Sequence, residues 1–207
     1  MKNKLLLTAT SVILSVICLT GCSSGSDILN AAKKYGMKEA ESAEEAINVW
    51  AANENGAICY SSKDSNQIKA LTWSLVGTDY ENVNEFKMCV EVDTTSDEAG
   101  AGHFFNYVYQ MTTEDKESAE YIYKTESSKY AFRGESTTDK KGGWDYTVCI
   151  EESETSDGIV YDVVHGVYVK GNDVIYMYGI NRAENNKTSI AYICKSLGLV
   201  SPYSLKK

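Results

Sequence analysis

The C-terminal third of the chain alternates apolar and polar side chains in a way that only neighbouring β-strands satisfy. Every second residue from Trp144 to Ile150 is apolar, which predicts a strand over residues 144–152 with one buried face. Ser156-Asp157-Gly158 then predicts a turn, and residues 159–170 a returning strand. Gly171-Asn172 predicts a two-residue hairpin into a third strand over residues 173–180. The pattern therefore predicts an antiparallel meander.

Helix signals lie on both sides of this meander. Ser26 or Asp27 can cap a first helix that Gly36 ends. Ser42 begins a second helix, because Glu45 three residues later completes a capping box. Apolar side chains at helical spacing predict three further helices, over residues 97–111, 114–123 and 184–197.

Two earlier strands are predicted over residues 57–62 and 85–93, and the second alternates clearly. Residues 66–76 fit both periods; the central tryptophan and the Val-Gly ending favour a strand, while the leucine spacing fits a helix. The order of elements is helices, strands, a helix, the meander and a last helix. This order predicts an α+β domain, an antiparallel sheet with a C-terminal meander, covered on one face by helices.

The start of the chain has the pattern of an export signal. Lys2 and Lys4 precede a nearly unbroken apolar run over residues 5–19. The run is too short to cross a bilayer, which needs about 20 residues, and no cationic flank follows it. We therefore expect residues 1–21 to be a cleaved signal peptide.

Leu19-Thr20-Gly21-Cys22 closes this run and resembles the lipobox of bacterial lipoproteins. The resemblance implies that the Cys22 thiol receives a diacylglycerol and that cleavage makes Cys22 the first residue. Two or more acyl chains hold a protein stably at a membrane, so membrane lipid is an expected partner and the extracytoplasmic face of the cell membrane the expected location. An ordinary secretory signal with a chance cysteine is the alternative. The rest of the chain is similar only in composition to small surface lipoproteins of Gram-positive bacteria.

The sequence signals divide the chain into four parts. We expect a lipoprotein signal peptide (1–21), a lipid-anchored tether (22–26), a single α+β domain (27–200) and a frayed tail (201–207). Without residues 1–21 the chain has 18 basic and 29 acidic residues, a net charge of −11. Such an acidic body does not neutralise phosphates, so nucleic acid is not an expected partner. Anionic lipid head groups repel it, so the anchor must hold it at the membrane.

Four cysteines remain after the signal and the anchor, an even number in an exported chain: Cys59, Cys89, Cys149 and Cys194. Cys89 and Cys149 fall on the polar phase of their strands, which predicts that they share a face of the sheet and form a disulfide if the strands are near neighbours. The other interpretation, four small buried thiols, is favoured, because Cys59 and Cys194 have no obvious mates and the domain is large enough to fold without disulfides. No Cys-x-x-Cys motif supports a redox role.

The sequence offers no constellation that carries chemistry. His103 and His165 lack the spacing of a metal site, and we interpret both as structural. No nucleophile elbow, phosphate-binding loop or calcium loop occurs. We therefore expect no metal and no cofactor, and no catalytic residue can be named.

Tyrosine is abundant, with 15 copies, and its flat ring with a polar tip suits recognition at a surface. Tyr168, Tyr176 and Tyr178, on the meander, form a candidate aromatic binding face; the alternative is that these rings fill the core.

Two function classes remain. The preferred one is a non-catalytic module that binds an envelope protein, a peptide or a glycan. The alternative is a membrane-tethered enzyme that acts on cell-envelope polymers through carboxylates.

Overall fold

The computed structural model describes residues 27–51, 55–93, 104–129, 133–154, 158–182 and 188–206. The strands are β1 (Lys38–Glu39), β2 (Gly56–Ser62), β3 (Val83–Asp93), β4 (Phe104–Thr113), β5 (Glu135–Lys141), β6 (Trp144–Glu154), β7 (Val160–Lys170) and β8 (Asp173–Arg182). The α-helices are α1 (Ile28–Tyr35), α2 (Ala43–Ala51), α3 (Ser65–Leu71), α4 (Lys116–Ser128) and α5 (Ser189–Leu197). A π-helical turn spans Thr72–Val76 and a 3-10 turn spans Pro202–Leu205.

The eight strands form one sheet in the order β1-β2-β3-β4-β8-β7-β6-β5. β1 pairs with β2 in parallel, and every other neighbouring pair is antiparallel. β6, β7 and β8 follow one another in the chain and are neighbours in the sheet, as the sequence predicts. The α+β class and the antiparallel sheet with its C-terminal meander are confirmed.

Helices pack on both faces of the sheet, whereas the sequence prediction placed them on one. α1 and α5 cover one face, which we call the α1 face. α2, α3 and α4 cover the other, which we call the α4 face. β3 shows why both faces need cover: Met88 and Val90 are buried on the α4 face, and Cys89 between them is buried on the α1 face. Strands that are apolar on both phases exclude water on both sides.

The predicted helix caps are present. The Asp27 carboxylate accepts the N–H two residues further on at 3.0 Å and so begins α1. Gly36 ends α1 with a φ of 110°, a left-handed conformation that favours glycine. Ser42 Oγ accepts the Glu45 N–H at 3.1 Å, and the Glu45 carboxylate accepts the Glu41 N–H at 2.7 Å. The capping box therefore closes one residue earlier than its usual form.

Two predicted elements are wrong. Residues 66–76 form α3 and the π-helical turn rather than a strand, and the Asp64 carboxylate caps α3 by accepting the Gln67 N–H at 2.9 Å. The described part of the predicted helix over residues 97–111 is β4, which pairs with β3 on one side and β8 on the other. Tertiary pairing decides the conformation of such a segment. The sequence also gave no sign of β1 or of the polar edge strand β5.

Residues 201–206 are docked on the domain, although the sequence predicts a frayed tail over residues 201–207. Pro202 is buried, and the 3-10 turn contacts β6 and β7. Lys206 Nζ lies 3.0 Å from the carboxylate of Asp162, which is buried on β7. This ion pair and the packing of the turn fix the terminal residues to the α1 face. None of the helices in the described segments is long and apolar enough to span a membrane.

Candidate functional site

A groove of about 470 Å³ opens on the α4 face at the C-terminal end of α4. We call it the aromatic groove. Its lining combines three tyrosines, a histidine, a leucine and two cationic side chains: Leu75, Tyr107, Lys129, Arg133, His165, Tyr176 and Tyr178. The volume lies in the range of about 300–1,000 Å³ that is typical of sites for small ligands.

Strand register places the residues at the base of the groove. Tyr107 on β4 lies opposite Tyr178 on β8, and Tyr178 lies opposite His165 on β7. His165 in turn lies opposite Cys149 on β6. Directly opposed residues point to the same side of a sheet, so these side chains form one row across four strands on the α4 face.

The tyrosine rings are stacked on one another. The Tyr107 and Tyr178 ring centroids are 5.1 Å apart with planes at 20°, and those of Tyr107 and Tyr109 are 5.7 Å apart with planes at 4°. The Tyr109 and Tyr176 centroids are 6.0 Å apart, and His165 lies 4.8 Å from the Tyr178 ring. Stacking turns ring faces towards each other, so the rings offer edges and hydroxyl groups to a ligand.

The π-helical turn forms one wall of the groove through Leu75. On the same turn, Trp73 is 67% exposed, an unusual position for so large an apolar ring. Thr72, the first residue of the turn, is buried, and its hydroxyl donates to the Ile68 carbonyl at 3.0 Å. π-helical turns often occur at functional sites because they displace side chains from the regular helical positions.

Two cations, Lys129 and Arg133, also line the groove. Lys129 Nζ donates to both carboxylate oxygens of Glu126, at 2.8 and 2.9 Å. Glu126 is buried on α4 and also accepts the hydroxyl of Tyr80, whose pKa is raised by burial and by this hydrogen bond. The carboxylate therefore fixes the position of Lys129. None of the described residues that line the groove is acidic.

His165 is neutral at pH 7. Its ring is 3% exposed, and burial, with the positive charge of Arg133 as the smaller cause, lowers its pKa from 6.5 to about 4. A neutral imidazole at the base of the groove can offer a hydrogen bond without adding charge.

The depressed pKa of His165 predicts a pH-dependent contribution to stability. Below pH 6.5 an unfolded chain binds a proton at this histidine and the folded chain does not until about pH 4, so folding stability is lost as the pH falls through this window. At about 1.4 kcal/mol per pKa unit, we expect wild type to lose roughly 2–3 kcal/mol more than His165→Gln between pH about 7 and about 4.5. Urea unfolding of both proteins across this range measures the difference. A difference that does not change with pH would contradict the assignment.

The structure brings Cys149 and His165 together, a pairing that no sequence pattern predicts. They lie directly opposite each other on β6 and β7. A Cys-His nucleophile requires the thiolate, which a lowered thiol pKa provides. Burial, followed by the negative charge of Glu151, instead raises the pKa of the Cys149 thiol to about 11. The arrangement therefore favours a neutral thiol and a neutral imidazole in the base of the groove.

The structure separates the three tyrosines of the predicted binding face. Tyr176 and Tyr178 line the groove. Tyr168 lies on the α1 face, fully buried, and its hydroxyl donates to the Val200 carbonyl at 2.6 Å. Tyr168 is therefore a core residue, and the prediction is wrong for it. Tyr107, Leu75 and the two cations were missed because they come from segments that adjoin the meander only in three dimensions.

The predicted Cys89–Cys149 disulfide is also wrong. Cys89 is buried on the α1 face, and Cys149 points to the α4 face beside His165. Three strands, β4, β8 and β7, lie between β3 and β6. At about 4.8 Å per strand the two residues are too far apart to be bridged. The four described cysteines are buried thiols in this structure. Cys22 and His103 lie outside the described residues.

A second concavity, of about 550 Å³, is lined by four carboxylates, and we call it the acidic cleft: Asp79, Glu81, Asp115 and Glu117. Two of them have structural partners: Asp79 pairs with Lys69 at 2.9 Å, and Asp115 caps α4 by accepting the Ser118 N–H at 2.7 Å. That hydrogen bond lowers the pKa of Asp115, whereas a general acid requires a raised one. Within the described segments no three His, Cys, Asp or Glu side chains are grouped to hold a metal ion.

Comparisons with known proteins add little to this description. Neither the models of protein families nor the curated proteins include a match. Among solved structures, the chain is similar to the extracellular domain of PknH from Mycobacterium tuberculosis, with 10% identity and a TM-score of 0.41 over 74% of this chain and 90% of that chain. The likeness is too distant to transfer a function. The fold and the groove themselves define the class: an α+β domain with an aromatic, cation-lined surface groove.

Proposed function

We propose that this chain is a membrane-anchored, extracytoplasmic binding module that holds an acidic peptide segment of an envelope protein in the aromatic groove. The observation that carries the proposal is the lining of the groove. Among the residues that the structure describes, it joins tyrosine edges, a neutral imidazole and two cations, without a carboxylate. No catalytic step is assigned to it.

The charge of the groove favours an acidic ligand. The chain without its leader has a net charge of −11, so an anionic ligand is repelled by most of its surface. Lys129 and Arg133 both line the groove, and Glu126, which pairs with Lys129, is not among the described lining residues, so the charged side chains described in the lining are positive. Such a patch directs an acidic segment to one place and sets its orientation.

The geometry of the rings favours a peptide over a glycan. Sugar rings bind aromatic side chains through the flat ring face, and here the rings of the two lining residues Tyr107 and Tyr178 stack on each other. Their hydroxyl groups are suited to peptide carbonyls and carboxylates. Tyrosine and arginine are also the residues that protein interfaces use most as anchors.

The leader supports the membrane location. The lipobox at Leu19-Thr20-Gly21-Cys22 predicts an acylated N-terminus, and α1 begins at Ile28. Residues 23–26 span at most about 15 Å when extended, so the domain would lie close to the bilayer. A partner segment presented by another membrane or envelope protein is then within reach.

A charge reversal in the groove tests the proposal. Arg133 is exposed, so Arg133→Glu should fold normally, and we expect it to bind a pentaglutamate peptide about tenfold more weakly than wild type. Lys195→Glu, an exposed lysine on α5 of the α1 face, is the matched control and should bind within about twofold of wild type. Isothermal titration calorimetry at low salt measures both, with pentaglutamine as the neutral probe.

Three results would change the proposal. Equal binding of pentaglutamate to wild type and Arg133→Glu would remove the groove as the site. Equal binding of pentaglutamate and pentaglutamine would remove the electrostatic argument. Binding of an oligogalacturonate, with no binding of pentaglutamate, would replace the peptide by an acidic glycan.

A further inference from the structure

Two cysteines that the sequence left without a common role face each other across neighbouring strands. Cys59 on β2 lies directly opposite Cys89 on β3. The pairing between these strands is regular from Gly56↔Val92 to Ser62↔Phe86, so no bulge displaces the two residues. Both side chains are fully buried in the hydrophobic cluster of the α1 face.

The backbone hydrogen bonds identify the kind of cross-strand pair. The Ala40 N–H donates to the Cys59 carbonyl at 2.9 Å, on the β1 side of β2. The backbone polar groups of one strand residue point to the same side, so those of Cys59 point away from β3. Cys59 and Cys89 are therefore a non-hydrogen-bonded pair, whose Cα atoms are about 4.5 Å apart. Disulfides accept Cα separations of about 4.4–6.8 Å.

The other two described cysteines are not placed to form a disulfide with Cys59 or Cys89. Cys149 points to the α4 face, opposite His165. Cys194 on α5 packs over β7 and β8, where its sulfur lies 3.4 Å from the Met177 sulfur and 3.9 Å from the Tyr168 hydroxyl. β4 separates β8 from β3, so Cys194 is a poor partner for Cys89.

We propose that Cys59 and Cys89 are a modification site and form a disulfide in the exported chain. The oxidant is a disulfide, either a small molecule or a thiol–disulfide oxidoreductase. One cysteine thiolate attacks the oxidant's disulfide, forms a mixed disulfide and releases one thiol. The second thiolate then attacks the bound cysteine sulfur, which forms the Cys59–Cys89 bond and releases the second thiol. The pair loses two electrons and two protons, and the oxidant is reduced to two thiols.

The surroundings of the pair determine when this exchange can occur. Cys89 Sγ donates to the Ile28 carbonyl at 3.8 Å, so α1 lies directly over the pair. Burial raises the pKa of both thiols and keeps them protonated in the folded domain. Oxidation therefore belongs to the folding chain, before α1 packs, and the finished bond is shielded from reductants.

The bond would also act on the aromatic groove. It joins the two strands that flank α3 and the π-helical turn, and closes the loop of residues 60–88. Cross-linking restricts the unfolded chain and the separation of β2 from β3. The wall that carries Leu75 and Trp73 would then be held at both ends.

Peptide mapping tests the assignment. The full chain, purified from the membranes of an expressing bacterium, is unfolded in urea, refolded in a glutathione redox buffer, blocked with N-ethylmaleimide and digested for mass spectrometry. We expect peptides linked through Cys59 and Cys89, with Cys149 and Cys194 carrying the maleimide. Cys149→Ala, the matched control, should keep the link. Cys59→Ala should lose it and leave Cys89 alkylated.

A stability measurement gives a second readout. The oxidised wild type should melt about 10 °C above the reduced protein. A disulfide that closes a loop of this length adds roughly 3–4 kcal/mol to the free energy of unfolding, and each kcal/mol raises the melting temperature of a domain of this size by about 2–4 °C. In Cys89→Ala the oxidant should not change the melting temperature. Alkylation of both Cys59 and Cys89 after oxidative refolding, or a link from either of them to any other cysteine, would overturn the proposal.

Discussion

Replacing Glu91 by leucine is expected to lower the free energy of unfolding by about 3–5 kcal/mol. Glu91 is a buried carboxylate on β3, on the α1 face. Its Oε1 accepts the Tyr35 hydroxyl at 2.8 Å, and its Oε2 accepts the Asn106 side-chain amide and the Ser189 N–H, each at 3.1 Å. One side chain therefore holds the end of α1, the start of α5 and β4 together.

The expected loss is large because leucine removes the acceptor of two buried donors, the Asn106 amide and the Ser189 N–H, and of the partly buried Tyr35 hydroxyl. Asn106 also exchanges hydrogen bonds with Asn181, at 2.8 and 3.0 Å, so the disturbance extends to β8. Urea unfolding followed by circular dichroism measures the change. Glu91→Gln keeps the volume and one acceptor and should lose less. Glu44→Leu, at an exposed position on α2, should stay within about 0.5 kcal/mol of wild type. A loss below about 1 kcal/mol in Glu91→Leu would show that the network does not hold the helices.

Cys22→Ser is expected to release almost all of the chain from the membrane fraction. The lipobox resemblance predicts that the anchor depends on the Cys22 thiol, and two or more acyl chains are needed for stable attachment. A body with a net charge of −11 is repelled by anionic lipids and offers no second means of attachment. Cell fractionation with immunoblotting measures the distribution between membrane and soluble fractions.

A buried cysteine provides the control for this experiment. Cys149→Ala removes a thiol on the sheet and should leave the chain in the membrane fraction, as wild type. Incorporation of labelled palmitate should follow the same pattern, present in wild type and in Cys149→Ala and absent in Cys22→Ser. If Cys22→Ser sediments with membranes as wild type does, the lipid anchor is not what holds the chain there.

Local signals were sufficient for much of the fold. The meander could be predicted because period-two alternation and a two-residue turn lie within one continuous segment. β4 could not, because Phe104, Tyr107, Val108 and Met111 have helical spacing. A strand buried on both faces has apolar residues at odd and even positions. Some of them are then three or four residues apart, which is also the spacing of the apolar face of a helix. Pairing with β3 and β8 decided between the two, and sequence spacing carries no information about that pairing.

The site was predicted only where it lies on the meander. Tyr176 and Tyr178 share a strand phase, so the sequence placed them on one face. Tyr107 lies in a segment with helical spacing. Arg133 follows α4, and no sequence pattern predicts that this segment lies near β8. The Cys89–Cys149 disulfide was wrong for a similar reason. Alternation along a strand shows which residues share a face of that strand, but it does not show how far apart two strands lie in the sheet. Strand order, a non-local property, decides both questions.

Hydrogen–deuterium exchange with and without pentaglutamate tests most directly whether the aromatic groove is the binding site. Binding should slow exchange in the π-helical turn and in the strand segments that form the base of the groove, around Leu75, Tyr107 and Tyr178, in wild type and not in Arg133→Glu. Protection confined to the acidic cleft around Asp79 and Asp115, or no protection at the groove while the peptide is bound, would contradict the account.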